Sequence, residues 1–248
     1  PDADGKLQPT GSNLCLECHQ GRESTASVDA ALRGKDVDVV DNTISFKNIH
    51  YFAAGATLFG SQARGLYQYP DKEYVGLNTH GEGNLAGPSQ CIECHATHEL
   101  EVQIDTCDQC HKSVTSAEDL PGIRVSETDY DGDGDVTEGI ASELDAFEER
   151  LYGAIQAYAA DAGTGIVYNP GAYPYFFVDA DGDGEIDKND QGANVRYNAF
   201  TPRLLKAAYN YQYSQKDPGA YAHNAVYVMQ ALYDSIQDLR GDLSGLTR

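Results

Sequence analysis

The sequence contains no tryptophan and a single methionine, Met229, among its 248 residues. Aromatic packing must therefore come from 17 tyrosines and 7 phenylalanines, in a chain whose hydrophobic content of 41% is sufficient for a core. No apolar run approaches the roughly 18 residues that are needed to span a bilayer. The sequence therefore predicts a chain with a packed core and without a transmembrane segment.

Positive charge is also scarce. The chain has 17 Lys and Arg residues against 39 Asp and Glu residues, which gives a formal net charge of -22 and an isoelectric point near 4.4. Binding to nucleic acid phosphates requires a basic face on the protein. The composition therefore excludes a nucleic acid as the expected partner.

Cysteine is absent outside one repeated pattern, in which two cysteines are separated by two residues and followed at once by a histidine. The three copies are Cys15, Cys18 and His19; Cys91, Cys94 and His95; and Cys107, Cys110 and His111. C-x-x-C-H is the attachment motif of c-type haem, in which the thiols bind the vinyl groups and the histidine binds the iron. Such cysteine pairs also suit disulfides or zinc, but three histidines in one register argue against both. We therefore predict three haem c groups, with the motif histidines as proximal iron ligands.

The spacing of the motifs predicts their arrangement. Only 11 residues separate His95 from Cys107, whereas 71 residues separate His19 from Cys91. We expect the last two haems to be close neighbours, and the first to be brought near them by folding.

Haem attachment also predicts where the protein works. Haem is attached to c-type cytochromes outside the cytoplasm, so we expect a periplasmic, cell-surface or extracellular protein. The sequence begins at Pro1 without a charged and then apolar leader, and we interpret this as a mature form whose export signal has been removed.

The ligand on the far side of each iron decides between electron transfer and catalysis, because an occupied sixth position leaves no place for a substrate. Four histidines remain as candidate distal ligands, namely His50, His80, His98 and His223. We expect His50 in a short helical segment, His80 in a glycine-rich loop and His223 at the start of the last helix. Met229 lies in a helical apolar stripe and is expected in the core. The sequence therefore favours two histidines on every iron.

Two segments resemble a known family. Cys91 to His98 has the form C-x-x-C-H-x-x-H, and Ala220 to Asn224 is followed by Tyr227. Both are similar to the multihaem cytochrome c group of pentahaem nitrite reductases, octahaem reductases and their electron-transfer relatives. The resemblance implies that His98 ligates an adjacent haem and that His223 is a distal ligand on a long C-terminal helix. The nitrite reductases bind substrate at a C-x-x-C-K haem, and this sequence has no such motif.

Two acidic segments predict calcium sites. The segment 179–190 matches a twelve-residue EF-hand loop, with acids at Asp179, Asp181, Asp183, Glu185, Asp187 and Asp190. It follows a predicted strand at 175–178, so we expect structural calcium without the usual pair of helices. A second loop begins in the same way, with Asp129, Asp131, Asp133, Asp135 and Thr137, but has Ile140 at position 12. We expect its closing ligand to be Glu138 or Glu143. The alternative for both loops is a solvated acidic turn.

The expected fold is mainly α-helical with much irregular structure. We predict a haem-packed trihaem region at 1–118, and a region at 119–248 that combines the EF-like calcium loops with helices. Helices are predicted at about 142–160, with Ser142 and Asp145 as a capping pair, at about 201–215 and at about 223–240. The last helix is expected to pack back on the haems.

Electron transfer by three haems is the leading functional hypothesis. An enzyme with one open haem, acting on a nitrogen or sulfur oxyanion, is the alternative, and no catalytic residue is assigned. Stacking of subunits into a filament or larger complex is a third possibility. The expected partners are redox proteins or copies of the same chain, and the expected cofactors are three haem c groups with one or two calcium ions.

Overall fold

The computed structural model describes residues 10–80, 87–88, 90–99 and 101–248, and this part of the chain is mainly helical with little sheet. Its α-helices are α1 Asn13–His19, α2 Thr25–Leu32, α3 Ala54–Phe59, α4 Cys91–Cys94, α5 Ile104–Cys107, α6 Ile140–Asp161, α7 Pro202–Gln215 and α8 Ala220–Asp238. Single 3-10 turns lie at Gly60–Gln62 and Ala117–Gly122. The two strands, β1 Ile166–Tyr168 and β2 Phe176–Val178, pair antiparallel with Val167 opposite Phe177.

The start of α7 follows directly from its sequence. The Thr201 hydroxyl accepts a hydrogen bond from the Leu204 N–H at 3.1 Å, and Pro202 occupies the first turn, where no intrahelical N–H is needed. The predicted bounds of this helix are confirmed. The long helix α8 begins at Ala220, but the non-helical backbone at Asn224 separates its first turn from the rest, which starts close to the predicted position.

The predicted capping pair at the start of α6 is wrong. The helix begins at Ile140, after Gly139, and no side chain caps it. The Ile140 N–H instead donates to the Ile123 carbonyl at 3.1 Å, so a preceding segment satisfies the helix end. A Cβ atom at position 139 would lie 2.0 Å from the Pro121 carbonyl oxygen, which explains why glycine is required there.

The core lies where α6, α7 and α8 pack together. It is rich in tyrosine, as the absence of tryptophan requires, and its fully buried members include Tyr209, Tyr213 and Tyr227. Met229 is 1% exposed, which confirms its prediction as a core residue.

The same core includes residues from both sides of position 118. Val28, Ile49 and Leu66 belong to one cluster with the residues of α6 to α8. Buried Asn210 on α7 accepts a hydrogen bond from the Tyr67 N–H at 2.6 Å and donates to the Tyr67 carbonyl at 3.0 Å. The boundary at residue 118 therefore separates the segment with the C-x-x-C-H motifs from the segment with the acidic loops. Residues of both segments belong to one core.

Among the described residues, no helix combines the length and apolar character that crossing a membrane requires.

Candidate haem-binding site

Short helices present five of the six motif cysteines. Helix α1 carries Cys15 and Cys18 and ends at His19. Helix α4 begins at Cys91 and ends at Cys94, whereas α5 ends at Cys107, so that the third motif continues into a turn. Cysteines three residues apart on a helix share one face, which is the arrangement needed to reach one porphyrin edge. None of the six cysteines forms a disulfide.

The first motif lies beside the second, although 71 residues separate them in the sequence. The Cys91 N–H donates to the Ser12 hydroxyl at 2.9 Å, and the Gly11 N–H donates to the Gln90 side chain at 3.1 Å. The Cys15 and Cys91 thiols are in contact, and the pKa of Cys15 is raised by burial and then by Cys91.

The second motif also contacts the third. The Gln103 N–H donates to the Cys94 carbonyl at 2.7 Å, and the Gln103 side chain donates to the Ile92 carbonyl at 2.9 Å. Burial raises the pKa of the Cys94 thiol, with a further contribution from Cys107. The second motif is therefore next to both of the others.

Two pairs of histidine rings face each other across short gaps. The ring centroids of His95 and His223 are 6.4 Å apart, and those of His80 and His111 are 6.2 Å apart. Two imidazoles on opposite faces of one iron have centroids roughly 6.3 Å apart, because each metal–nitrogen bond is about 2.0 Å and each ring centre lies about 1.15 Å beyond its nitrogen. Each pair joins one motif histidine to one candidate distal histidine, so the spacing fits two axial ligands.

Hydrogen bonds at Nδ1 orient two of the candidate ligands. His19 Nδ1 donates to the Phe52 carbonyl at 2.8 Å. His223 Nδ1 donates to both carboxylate oxygens of Asp217, at 2.8 and 3.0 Å. In each ring the remaining nitrogen, Nε2, is left for a metal, as in other histidine metal sites.

The electrostatics of His95 and His80 favour neutral rings. The pKa of His95 is lowered by desolvation and then by His223 and His19. The pKa of His80 is lowered by desolvation and then by His111, even though part of the His80 ring remains exposed to solvent. A neutral imidazole is the form that binds a metal.

His50 and His98 have no imidazole partner among the described residues. The predicted helix at His50 is wrong: the residue has a φ of 80°, and α3 begins only at Ala54. The His50 N–H donates to the Asn48 side chain at 2.9 Å, and this local bond competes with helix formation. His98 lies in an exposed turn. The glycine-rich loop predicted around His80 lies partly outside the described residues, since 81–86 are not described.

Asp217, which orients His223, was not predicted from the sequence. It lies between the helices predicted at about 201–215 and 223–240, in a stretch to which no role was assigned. The available indication was an acid six residues before a candidate ligand, but this spacing is common in turns and does not by itself predict a hydrogen bond to the imidazole.

The loop at 179–190 is organised around Asp179. This residue is buried, and its carboxylate accepts hydrogen bonds from the N–H groups of Gly182, Asp183 and Gly184 at 2.9 to 3.1 Å. Ligand oxygens of Asp179, Asp181 and Asp183 lie within 4.8 Å of one another. Glu185, Asp187 and Asp190 are not part of this group, and Asp187 accepts a hydrogen bond from the Ala180 N–H at 3.0 Å.

The loop at 129–137 brings two sets of carboxylates together. One set is Asp129, Asp131 and Glu143, and the other is Asp131, Asp133 and Glu138. Both glutamates expected to close this loop are thus within reach of it. The pKa of Glu138 is raised by desolvation and then by Asp131 and Asp133, as expected for like charges at close range.

Asp135 and Thr137 lie outside both sets. The Asp135 carboxylate accepts hydrogen bonds from the Thr137 N–H at 2.8 Å and from its hydroxyl at 2.6 Å. These bonds lower the pKa of Asp135. The two residues therefore bind each other within the turn.

The chain is similar to known cytochromes along most of its length. The C-type polyheme cytochrome OmcB of Geobacter sulfurreducens, from strains DL-1 / KN400 and ATCC 51573 / DSM 12127 / PCA, is 31% identical over 252 residues. OmcC, a C-type polyheme cytochrome of the second strain, is 30% identical over 253 residues. Each match covers 91% of this chain and 30% of the relative, so the chain spans less than a third of the length of these proteins. No protein-family model matches the chain, and neither does a solved structure.

These relatives give no support to the narrower resemblance to the nitrite reductase and octahaem group. Their description as C-type polyheme cytochromes agrees with the three C-x-x-C-H motifs, which indicate a c-type cytochrome without specifying a narrower group. The chain is homologous to polyheme c-type cytochromes of Geobacter sulfurreducens, and this homology supports its identification as a multihaem c-type cytochrome.

Proposed function

We propose that this chain transfers electrons through three covalently attached haems, each with two histidine ligands. The observation that carries the proposal is the spacing of 6.4 Å between the His95 and His223 rings and of 6.2 Å between the His80 and His111 rings. The polyheme cytochrome relatives suggest electron transfer at the general level.

Each motif would hold one haem. Cys15, Cys18 and His19 would hold the first; Cys91, Cys94 and His95 the second, with His223 as distal ligand; and Cys107, Cys110 and His111 the third, with His80. When bound, such a group supplies a one-electron couple between ferric and ferrous iron. The hydrogen bonds that join the segment of the first motif to the second, and the second to the segment of the third, favour a row in which the second haem is in the middle.

The protein's own residues would keep the irons closed to substrate. Helix α8 presents His223, and the segment before the second motif presents His80. A histidine on both faces leaves no coordination position for an oxyanion, so these pairs favour electron transfer over the reductase alternative. The distal ligand of the first haem would be His50 or His98, or a histidine from a neighbouring copy of the chain.

We propose one or two structural calcium ions as well. Carboxylates at close range repel one another unless a cation lies between them. Three sets of carboxylates lie at such close range, one in the loop at 179–190 and two in and beside the loop at 129–137. The buried position of Asp179 favours an ion in its loop over an ordinary solvated turn.

We further propose that the protein works outside the cytoplasm, in the periplasm, at the cell surface or in the medium, where c-type haem is attached. Its partners would be redox proteins or copies of itself. Because the relatives are more than three times longer than the matched region, this chain would form one segment of a longer row of haems or a filament.

The test combines mass spectrometry with electron paramagnetic resonance of the oxidised protein. The denatured chain should exceed 26.9 kDa by the mass of three haems, and all irons should be low-spin. His223→Ala and His80→Ala should each create one high-spin haem. Met229→Leu is the matched control and should leave the spectrum unchanged, because Met229 is a core residue.

Two results would contradict the proposal. A mass equal to that of the bare polypeptide would exclude covalent haem. A high-spin iron in the undiluted native protein, together with tight binding of cyanide or nitrite, would favour the reductase alternative.

A further inference from the structure

The two histidines with an oriented Nδ1 have hydrogen-bond partners of different charge. His19 donates to the neutral carbonyl of Phe52, whereas His223 donates to the carboxylate of Asp217. The Asp217 side chain is 2% exposed and the His223 side chain 22% exposed. The negative charge at His223 is therefore largely shielded from solvent.

The turn before α8 fixes this arrangement. The Asp217 N–H donates to the Ser214 carbonyl at 3.2 Å, and the Ala220 N–H donates to the Asp217 carbonyl at 2.9 Å. A Cβ atom at position 219 would lie 2.8 Å from His223 Cε1, so the glycine backbone packs directly against the ring. The imidazole is held between the carboxylate and this backbone.

A carboxylate that accepts a hydrogen bond from a ligand histidine raises the basicity of that ligand. A buried negative charge near an iron also stabilises the more positive, ferric state. Both effects lower the reduction potential of the iron that the histidine binds.

We infer that Asp217 is a positioning residue that makes the haem between His95 and His223 the one with the lowest potential of the three. This inference rests on the proposed function, because it concerns the haem of the second motif. In the proposed row that haem is in the middle, so an electron that crosses the chain would pass through the position of lowest potential there. One electron arrives at this iron and one leaves it.

The test is a spectroelectrochemical redox titration of the haem-loaded protein. In Asp217→Asn the amide oxygen can still accept the hydrogen bond, but the charge is removed. The reduction potential of one of the three haems should rise by at least 59 mV, which for one electron is a tenfold change in the equilibrium constant. The potentials of the other two should change less. Asp217→Glu should restore most of the wild-type value.

Asp108→Asn is the matched control. It removes one charge from the third C-x-x-C-H motif, where Asp108 is exposed, and solvent should screen its effect. None of the three couples should change by tenfold in this variant.

A measurement on the wild-type protein covers the case in which Asp217→Asn does not fold. The low-spin resonance that disappears in His223→Ala identifies the haem of the second motif. In a reductive titration of the wild type, this resonance should be the last to vanish.

The inference is overturned if that resonance vanishes first or second, if Asp217→Asn shifts no couple, or if it shifts all three equally. These outcomes are distinct from failure of the proposed function, which would appear as missing haem or as high-spin iron in the wild type.

Discussion

Arg124 and Glu143 form a buried ion pair, with the guanidinium Nη1 2.5 Å from carboxylate Oε1 and side chains 7% and 0% exposed. The other carboxylate oxygen accepts hydrogen bonds from the N–H groups of Tyr130 and Asp131, both at 2.8 Å. Glu143 therefore joins the first turn of α6 to the acidic loop at 129–137, and it does so from a position without contact to water.

Replacing Arg124 should destabilise the protein strongly. Arg124→Met leaves the Glu143 charge buried without its partner, and breaking such a pair costs about 3–5 kcal/mol. Urea denaturation should show this loss. Lys47→Met is the control, because Lys47 lies 3.5 Å from Glu23 in a more exposed pair that is worth about 1 kcal/mol or less. Equal losses in the two variants would contradict the structural role of Glu143.

Calcium should stabilise the protein through Asp179. At about 100 times its dissociation constant, a bound ion adds about 2.7 kcal/mol to the free energy of unfolding. Asp179→Asn removes the central carboxylate of the loop at 179–190 and should reduce the rise in melting temperature on addition of calcium. Asp161→Asn, an exposed change at the end of α6, should leave the rise intact. If chelator does not change the melting temperature of the wild type, the calcium proposal fails.

Glu148 should make stability depend on pH. Burial raises its pKa to about 7 from the ordinary value of 4.5. Between these values the folded state keeps a proton that the unfolded state has lost, so the free energy of unfolding falls as pH rises through this window. At 1.36 kcal/mol per pKa unit, the total is up to about 3 kcal/mol.

Glu148→Gln should remove this dependence. The variant should match the wild type near pH 4.5 and exceed it above pH 7, as measured by urea denaturation at each pH. Glu149→Gln changes the exposed neighbouring residue and should follow the wild type. A constant difference between Glu148→Gln and the wild type at all pH values would show that Glu148 is not protonated in the folded state.

The distal ligand of the first haem can be identified by two substitutions. If the ligand comes from within the chain, only one of His50→Ala and His98→Ala should produce a high-spin haem in electron paramagnetic resonance. Asn48→Ala, which removes the side chain that accepts from the His50 N–H, should weaken ligation only if His50 is the ligand. If neither histidine variant becomes high-spin but dilution does, the ligand comes from a neighbouring copy.

Sequence patterns predicted the features that are determined by residues close together in the chain. The start of α7 follows from Thr201 and Pro202, and the position of β2 follows from the aromatic run before Asp179. The three motifs are recognisable because attachment of c-type haem requires a fixed spacing of two cysteines and a histidine. Such features depend on neighbours in the chain, which the sequence displays directly.

Contacts that depend on how the chain folds back on itself could not be predicted in the same way. Asp217 and His223 form a hydrogen bond because the turn between α7 and α8 folds back on itself. The start of α6 depends on the Ile123 carbonyl and on the close approach of Pro121 to Gly139. Pairing of His80 with His111 similarly requires segments that are 31 positions apart to meet, which is visible only in three dimensions.

Asn78 connects the two segments that present the proposed distal ligands. Its side chain donates to the His223 carbonyl at 2.8 Å, its own N–H donates to the Leu58 carbonyl at 2.9 Å, and His80 follows two residues later. Local opening of a folded protein occurs in cooperative units. A fluctuation that breaks the hydrogen bond from Asn78 to the His223 carbonyl would loosen His223 and His80 together. The proposed second and third haems would then lose or keep their protection from outside ligands as one unit.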